Sequence, residues 1–209
     1  MTYPPSLTLH LVALALGFLY VLSHLPGALA PVWFRGFVKP LPRSYPLGVA
    51  LTAVATGWFD LQTNFMDLGE LTSWRNGLMM IWTAAGVLTA IFVPSFLTAR
   101  ALGCLLLLSA VPIFDSAFLV QTPWRFVVTI MNYGWIVAGI ALVYSPYLLR
   151  DALEFVSLTP TRCRVFCWSG VAFGVLLVTL ALTVYPTEIP ASELNYLSVP
   201  TPVSDATRI

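Results

Sequence analysis

Apolar residues in this chain come in long unbroken runs, without the alternation of a strand or the narrow stripe of a soluble helix. Six such runs can be drawn: Leu7–Leu25, Tyr45–Leu61, Asn76–Leu97, Ala101–Leu119, Arg125–Leu149 and Val165–Tyr185. Each lies near the ~20 residues that ~30 Å of hydrocarbon requires, so the pattern predicts an all-α integral membrane protein of about six transmembrane helices. The second run is the shortest, and a re-entrant segment there would leave five spans. In the fourth, Pro112 and Asp115 predict a broken or interfacial last turn.

The polar residues that punctuate the runs occur twice in the same order. Leu47-Gly48 is followed after ten residues by Phe59-Asp60, and Leu102-Gly103 after ten residues by Phe114-Asp115. Each Asp precedes a Thr-x-Trp-Arg tetrapeptide, Thr72–Arg75 and Thr122–Arg125, that opens the next run. Each of those runs closes on a Pro and then an Arg: Pro94 and Arg100, Pro146 and Arg150. This predicts a tandem of helical hairpins over about 43–100 and 100–150, both starting on the same side of the membrane and related by an axis along its normal.

Composition supports a lipid environment. Charged residues make up 9% of the chain and apolar ones 58%, against about 25% charged in soluble domains. The organisation predicted is one transmembrane domain over 1–185 and a polar, Pro-containing tail over 186–209. A net charge of +1, with no basic run, points away from nucleic acid. The first run ends near Ala28-Leu29-Ala30, which resembles a cleavage site, but no Lys or Arg precedes it and Pro31 would follow the cut. It reads as a retained helix.

Orientation follows from basic residues. With six spans, seven of them (Arg35, Lys39, Arg43, Arg100, Arg150, Arg162 and Arg164) share one side, against Arg75, Arg125 and Arg208 on the other. The positive-inside rule then places both termini on the non-cytoplasmic side, in a membrane taken to be a bacterial inner membrane. Cys104, Cys163 and Cys167 fall on the reducing side and read as structural. The Pro-rich stretch between Pro26 and Tyr45 mixes aromatic and basic residues and reads as interfacial. Gln62–Trp74 reads as a short amphipathic helix, and the Gly170/Gly174 spacing as a close helix contact compatible with a dimer.

Three groups of residues could carry chemistry. Asp60, Arg75, Asp115 and Arg125 sit at the outer ends of the repeated hairpins. They read as structural ion pairs or as a ligand cluster between the repeats. His10 and His24 are nearly four helical turns apart, about 21 Å, on one face of the first span. That spacing suits haem or a chlorophyll-type pigment, although each six-coordinate haem would need a further axial ligand from elsewhere. Thr83, Thr89, Ser109, Thr129, Asn132 and Ser169 lie at membrane depth, where hydrogen bonds between helices are expected.

No catalytic constellation is present: there is no metal-spaced cluster, phosphate loop or nucleophile elbow. The sequence therefore predicts a non-catalytic membrane protein without a cofactor, a subunit or scaffold packing against other membrane proteins or itself. The alternatives are a small-solute transporter or channel using the outer cleft, and a haem- or pigment-binding subunit.

Overall fold

The computed structural model describes residues 8–66, 68–118 and 120–185, and every regular element among them is a helix. The tail over 186–209 lies outside the described residues. Eight α-helices follow one another: α1 Leu9–Leu29, α2 Pro31–Val38, α3 Tyr45–Phe65, α4 Arg75–Phe92, α5 Leu97–Phe118, α6 Arg125–Tyr144, α7 Tyr147–Val156 and α8 Pro160–Thr183. Single 3-10 stretches at Leu41–Arg43 and Gly69–Trp74 precede α3 and α4. Five helices (α1, α4 with the turn before it, α5, α6 and α8) are long and apolar enough to cross a membrane. The 21 residues of α3 match them in length, but Asp60, Gln62 and Asn64 dilute its last two turns.

Prolines stop some helices and not others. Pro94 ends α4, and Pro146 ends α6 at Tyr144 and restarts the chain as α7, so the fifth predicted run is two helices, not one reaching Leu149. Pro26 and Pro112 instead lie inside α1 and α5. The break expected near Asp115 is not there: α5 is helical to Phe118. A proline cannot bond the carbonyl four residues before it, so Pro112 strands the Leu108 oxygen. Gln62 Nε2, from α3, donates to that oxygen at 3.0 Å. A helix in lipid tolerates proline when a neighbour supplies the missing donor.

The core lies between α1, α5, α6 and α8, where Leu9, Leu16, Ile113, Val128, Leu177 and Leu180 are buried together. Two crossings bring backbones into contact. A Cβ added at Gly17 would sit 2.8 Å from the Gly174 carbonyl oxygen, and one at Gly174 equally close to the Gly17 oxygen. Between α5 and α6, Gly103 and Gly139 face each other in the same way, at 2.8 and 2.9 Å. Without a hydrophobic drive between helices in lipid, such close approach supplies the association energy. The Gly170/Gly174 spacing of α8 is therefore occupied within the chain, by α1. The connection before α4 forms its helical turn only over Gly69–Trp74, with no buried residue. In the segment before α3, helix α2 buries Pro31 and Val38 while Val32, Trp33 and Phe37 stay exposed.

Candidate functional site

The repeated arginines do the same thing in both hairpins, and it is not what their acids suggest. Arg75 donates from Nη1 to the Asn64 carbonyl at 2.9 Å and from Nη2 to that of Met66 at 2.8 Å. Arg125 Nη1 donates to the Val120 carbonyl at 2.9 Å and reaches that of Phe118 at 3.4 Å. These carbonyls lie in and just past the last turns of α3 and α5, where a cation also meets the negative end of the helix dipole. The ion pairs expected among Asp60, Arg75, Asp115 and Arg125 are not formed. Among the described residues, salt bridges run from Arg150 to Asp151 and Glu154, on α7. Asp60 Oδ2 accepts from Thr83 Oγ1 at 2.8 Å, which joins α3 to α4. Asp115 is exposed and bonds no described residue.

The membrane-depth polar residues are mostly satisfied locally. Ser109, Thr129 and Ser169 donate to carbonyls three or four residues back in their own helices. Asn132 is fully buried and donates across to the Ala110 carbonyl at 3.0 Å. His10 Nδ1 lies 2.8 Å from the Ala181 carbonyl, so its ring ties α1 to α8.

At the opposite end of the bundle from Asp60 and Asp115 lies a cavity of about 590 Å³. It sits where α1 and α6 run out and α3, α5 and α8 begin, with α2 and α7 as its walls toward the bundle end. Leu19, Leu47, Leu51, Leu102, Leu106 and Leu153 give it a carbon lining. Tyr20 and Trp135, each nine residues from its helix end, carry the cavity about 14 Å deep at 1.5 Å per residue. This volume falls within the range of small-molecule sites, which are largely apolar with a few placed polar groups.

His24 is one of those polar groups. Its Nδ1 lies 2.9 Å from both the Tyr20 carbonyl and Ser23 Oγ. A carbonyl can only accept, so Nδ1 of the neutral ring carries the proton and Nε2 keeps its lone pair. No described residue bonds Nε2. The ring lies flat over Gly170 of α8, where any side chain would collide with it. Tyr20, one turn earlier, stacks on His24 at 5.6 Å between centroids and 11° between planes. Its hydroxyl accepts from Trp135 Nε1 at 2.9 Å. Below them Cys167 fills the space over Gly27. Each helix of the α1–α8 pair thus supplies a glycine where the other presents a side chain to the cavity.

Arg35 ties α2 to α7 across the cavity wall. Its Nε donates to the Ser157 carbonyl at 2.6 Å and its Nη2 to that of Leu158 at 3.0 Å. It caps α7 as Arg75 caps α3 and Arg125 caps α5.

Sequence reasoning singled out His24 but missed Tyr20, Trp135 and Arg35 as its companions. A signal did exist: Tyr20, Ser23, His24 and Gly27 recur at the three- and four-residue spacing of one helix face. Of the sequence-predicted site residues, the cavity takes only His24, while the outer quartet lies at the far end. Comparison with known proteins finds no similarity to place beside this geometry: no family model, no curated protein and no solved structure matches the chain.

Proposed function

We propose that this chain is a non-catalytic membrane protein of six spans that holds an amphipathic small molecule in the cavity beside His24. The cavity carries this reading: a deep, carbon-lined volume with a stacked pair of polar rings, Tyr20 and His24, on one wall. The sixth span is α3, whose 21 residues give about 31 Å of helix and whose partners are α4 and α5. The tandem hairpin repeat, both termini on the non-cytoplasmic side, and a bacterial inner membrane complete the proposal. The cavity then opens toward the cytoplasmic half.

The transporter alternative has less support at the outer end, where both arginines are bonded to backbone carbonyls. For a haem or pigment the lining offers His24 as its one histidine, with Tyr20, Cys163 and Cys167 as other axial-ligand types and no methionine. No cofactor is proposed. The reading as a subunit or scaffold for other membrane proteins, or for a second copy, is favoured by α4, none of whose 18 residues is buried.

Native mass spectrometry of the full chain, gently extracted from its own membrane, tests both. The expected mass exceeds the 22.9 kDa chain by a retained small molecule, which Leu106→Trp, filling the cavity, removes. A bare wild-type mass overturns the cavity reading, and a companion polypeptide establishes the subunit role.

A further inference from the structure

We infer that the cavity recognises a hydroxyl group on an otherwise apolar molecule, such as a long-chain alcohol or a phenol, with Tyr20 and His24 as the two polar contacts. This rests on the reading of the cavity as an amphipath site.

Most polar side chains on the lining are already committed. Thr98 Oγ1 donates to the Ser44 carbonyl at 2.8 Å, and Ser157 Oγ to the Glu154 carbonyl at 3.3 Å. Ser23 Oγ donates to the Tyr20 carbonyl at 3.2 Å and lies beside His24 Nδ1. Trp135 spends its single N–H on the Tyr20 hydroxyl. Arg35 has two of its donor nitrogens on the end of α7, where the helix dipole opposes its charge. Its Nη1 bonds no described residue, so an anionic headgroup is the rival occupant that a fatty-acid competitor tests.

On α1, two functions one helical turn apart remain open. The Tyr20 oxygen accepts from Trp135, and no described residue accepts its own hydrogen. His24 Nε2 has a lone pair and no donor. A ligand group that pairs with both must accept from the phenol and donate to the imidazole. A hydroxyl does both with one oxygen. A ketone, ester or quinone only accepts and leaves Nε2 unpaired. A carboxylate also only accepts, and pairs with Nε2 only when the ring is charged. A site built to hydrogen-bond a hydroxyl discriminates against analogues lacking it, because its own polar groups are then left dry.

The test uses the full chain in phosphatidylcholine nanodiscs, with hexadecan-1-ol carrying a photoreactive diazirine in its alkyl chain. Labelled positions are mapped by peptide mass spectrometry. Labelling should fall on Leu19, Leu102 and Leu106. Unlabelled hexadecan-1-ol or a hexadecylphenol should compete about tenfold better than hexadecyl methyl ether or hexadecanoic acid, as the one hydrogen bond to Nε2 that only a hydroxyl donates implies. The stronger of the two hydroxyl competitors identifies the source, aliphatic or phenolic. In His24→Phe, which keeps the ring stack and removes Nε2, the alcohol's advantage over the ether should fall severalfold while cavity labelling persists. Should that variant fail to fold, the wild-type competition series decides. Equal competition by alcohol and ether overturns hydroxyl recognition and leaves the cavity reading standing. Labelling spread over α4 and absent from the cavity leucines overturns both.

Discussion

In the α5–α6 hairpin two backbones touch, Gly103 against Gly139. In α3–α4 the corresponding approach is a glycine, Gly86, against the side chain of Thr56. The two hairpins share their polar punctuation, yet α6 buries Val128, Asn132, Gly139 and Leu142 while α4 buries nothing. What repeats is what a hairpin does by itself: an arginine at the start of the return helix caps the helix before it. What does not repeat is burial, which depends on neighbours. The α1–α8 pair lies against α5 and α6, through the shared core and the Tyr20–Trp135 bond. The first hairpin meets the rest of the bundle mainly through α3 on α5. Similar polar punctuation thus accompanies one hairpin in the core and the other on the flank.

Substitutions can break this contrast. The largest effect is expected at the glycines. Gly103→Val drives a Cβ into a carbonyl that cannot rotate away and should cost about 3 kcal/mol or more, whereas Gly86→Val meets a threonine that can turn and should cost about 1 kcal/mol. Thermal unfolding in detergent, read by the fraction still monodisperse after heating, checks the order. Equal losses would mean that the hairpins are packed alike.

The arginines should behave as a matched pair. Arg75→Ala and Arg125→Ala are each expected to lose about 1 kcal/mol, because the helix-end carbonyls lose their donors. Asp60→Asn, which keeps an acceptor for Thr83, should lose little. A loss at Asp60 equal to that at Arg75 would restore an ion pair to the argument.

Between the hairpins, Gln62→Leu should cost about 1–2 kcal/mol by leaving the Leu108 carbonyl dry. In a Pro112→Ala background position 112 again offers an N–H, so the same substitution should cost much less. A double-mutant cycle measures that coupling, and additivity would reject the proline account. The smallest effect belongs to the bond across the flanking hairpin. Thr83→Val should cost about 0.6 kcal/mol, the usual worth of a hydrogen bond between membrane helices.

Several helix limits could be read from the chain directly. Tyr45 begins α3 and Arg125 begins α6, as the apolar runs indicate. Pro94 and Pro146 interrupt where a proline is expected to. Pro112 does not, because its remedy, Gln62, stands 46 residues away. The outer quartet was legible as a repeated feature but not as a set of caps. Opposite charges on one hairpin suggest pairing, and only the folded ends of α3 and α5 show how many carbonyls compete for each guanidinium. His24 was legible as unusual. Its role depends on α8 offering Gly170 beneath the ring and on α6 offering Trp135 to Tyr20.

Transfer of a residue into lipid is a local property, and a helix satisfies its backbone within itself. The amino-acid sequence alone therefore determined that this is a helical protein with segments apolar enough to cross a membrane. Which helix lies beside which is settled by the close approach of small residues and by the pairing of donors left over from distant turns. Those pairings join residues as far apart as His10 and Ala181, so the core, the arginine caps and the cavity beside His24 were decided only by the tertiary structure.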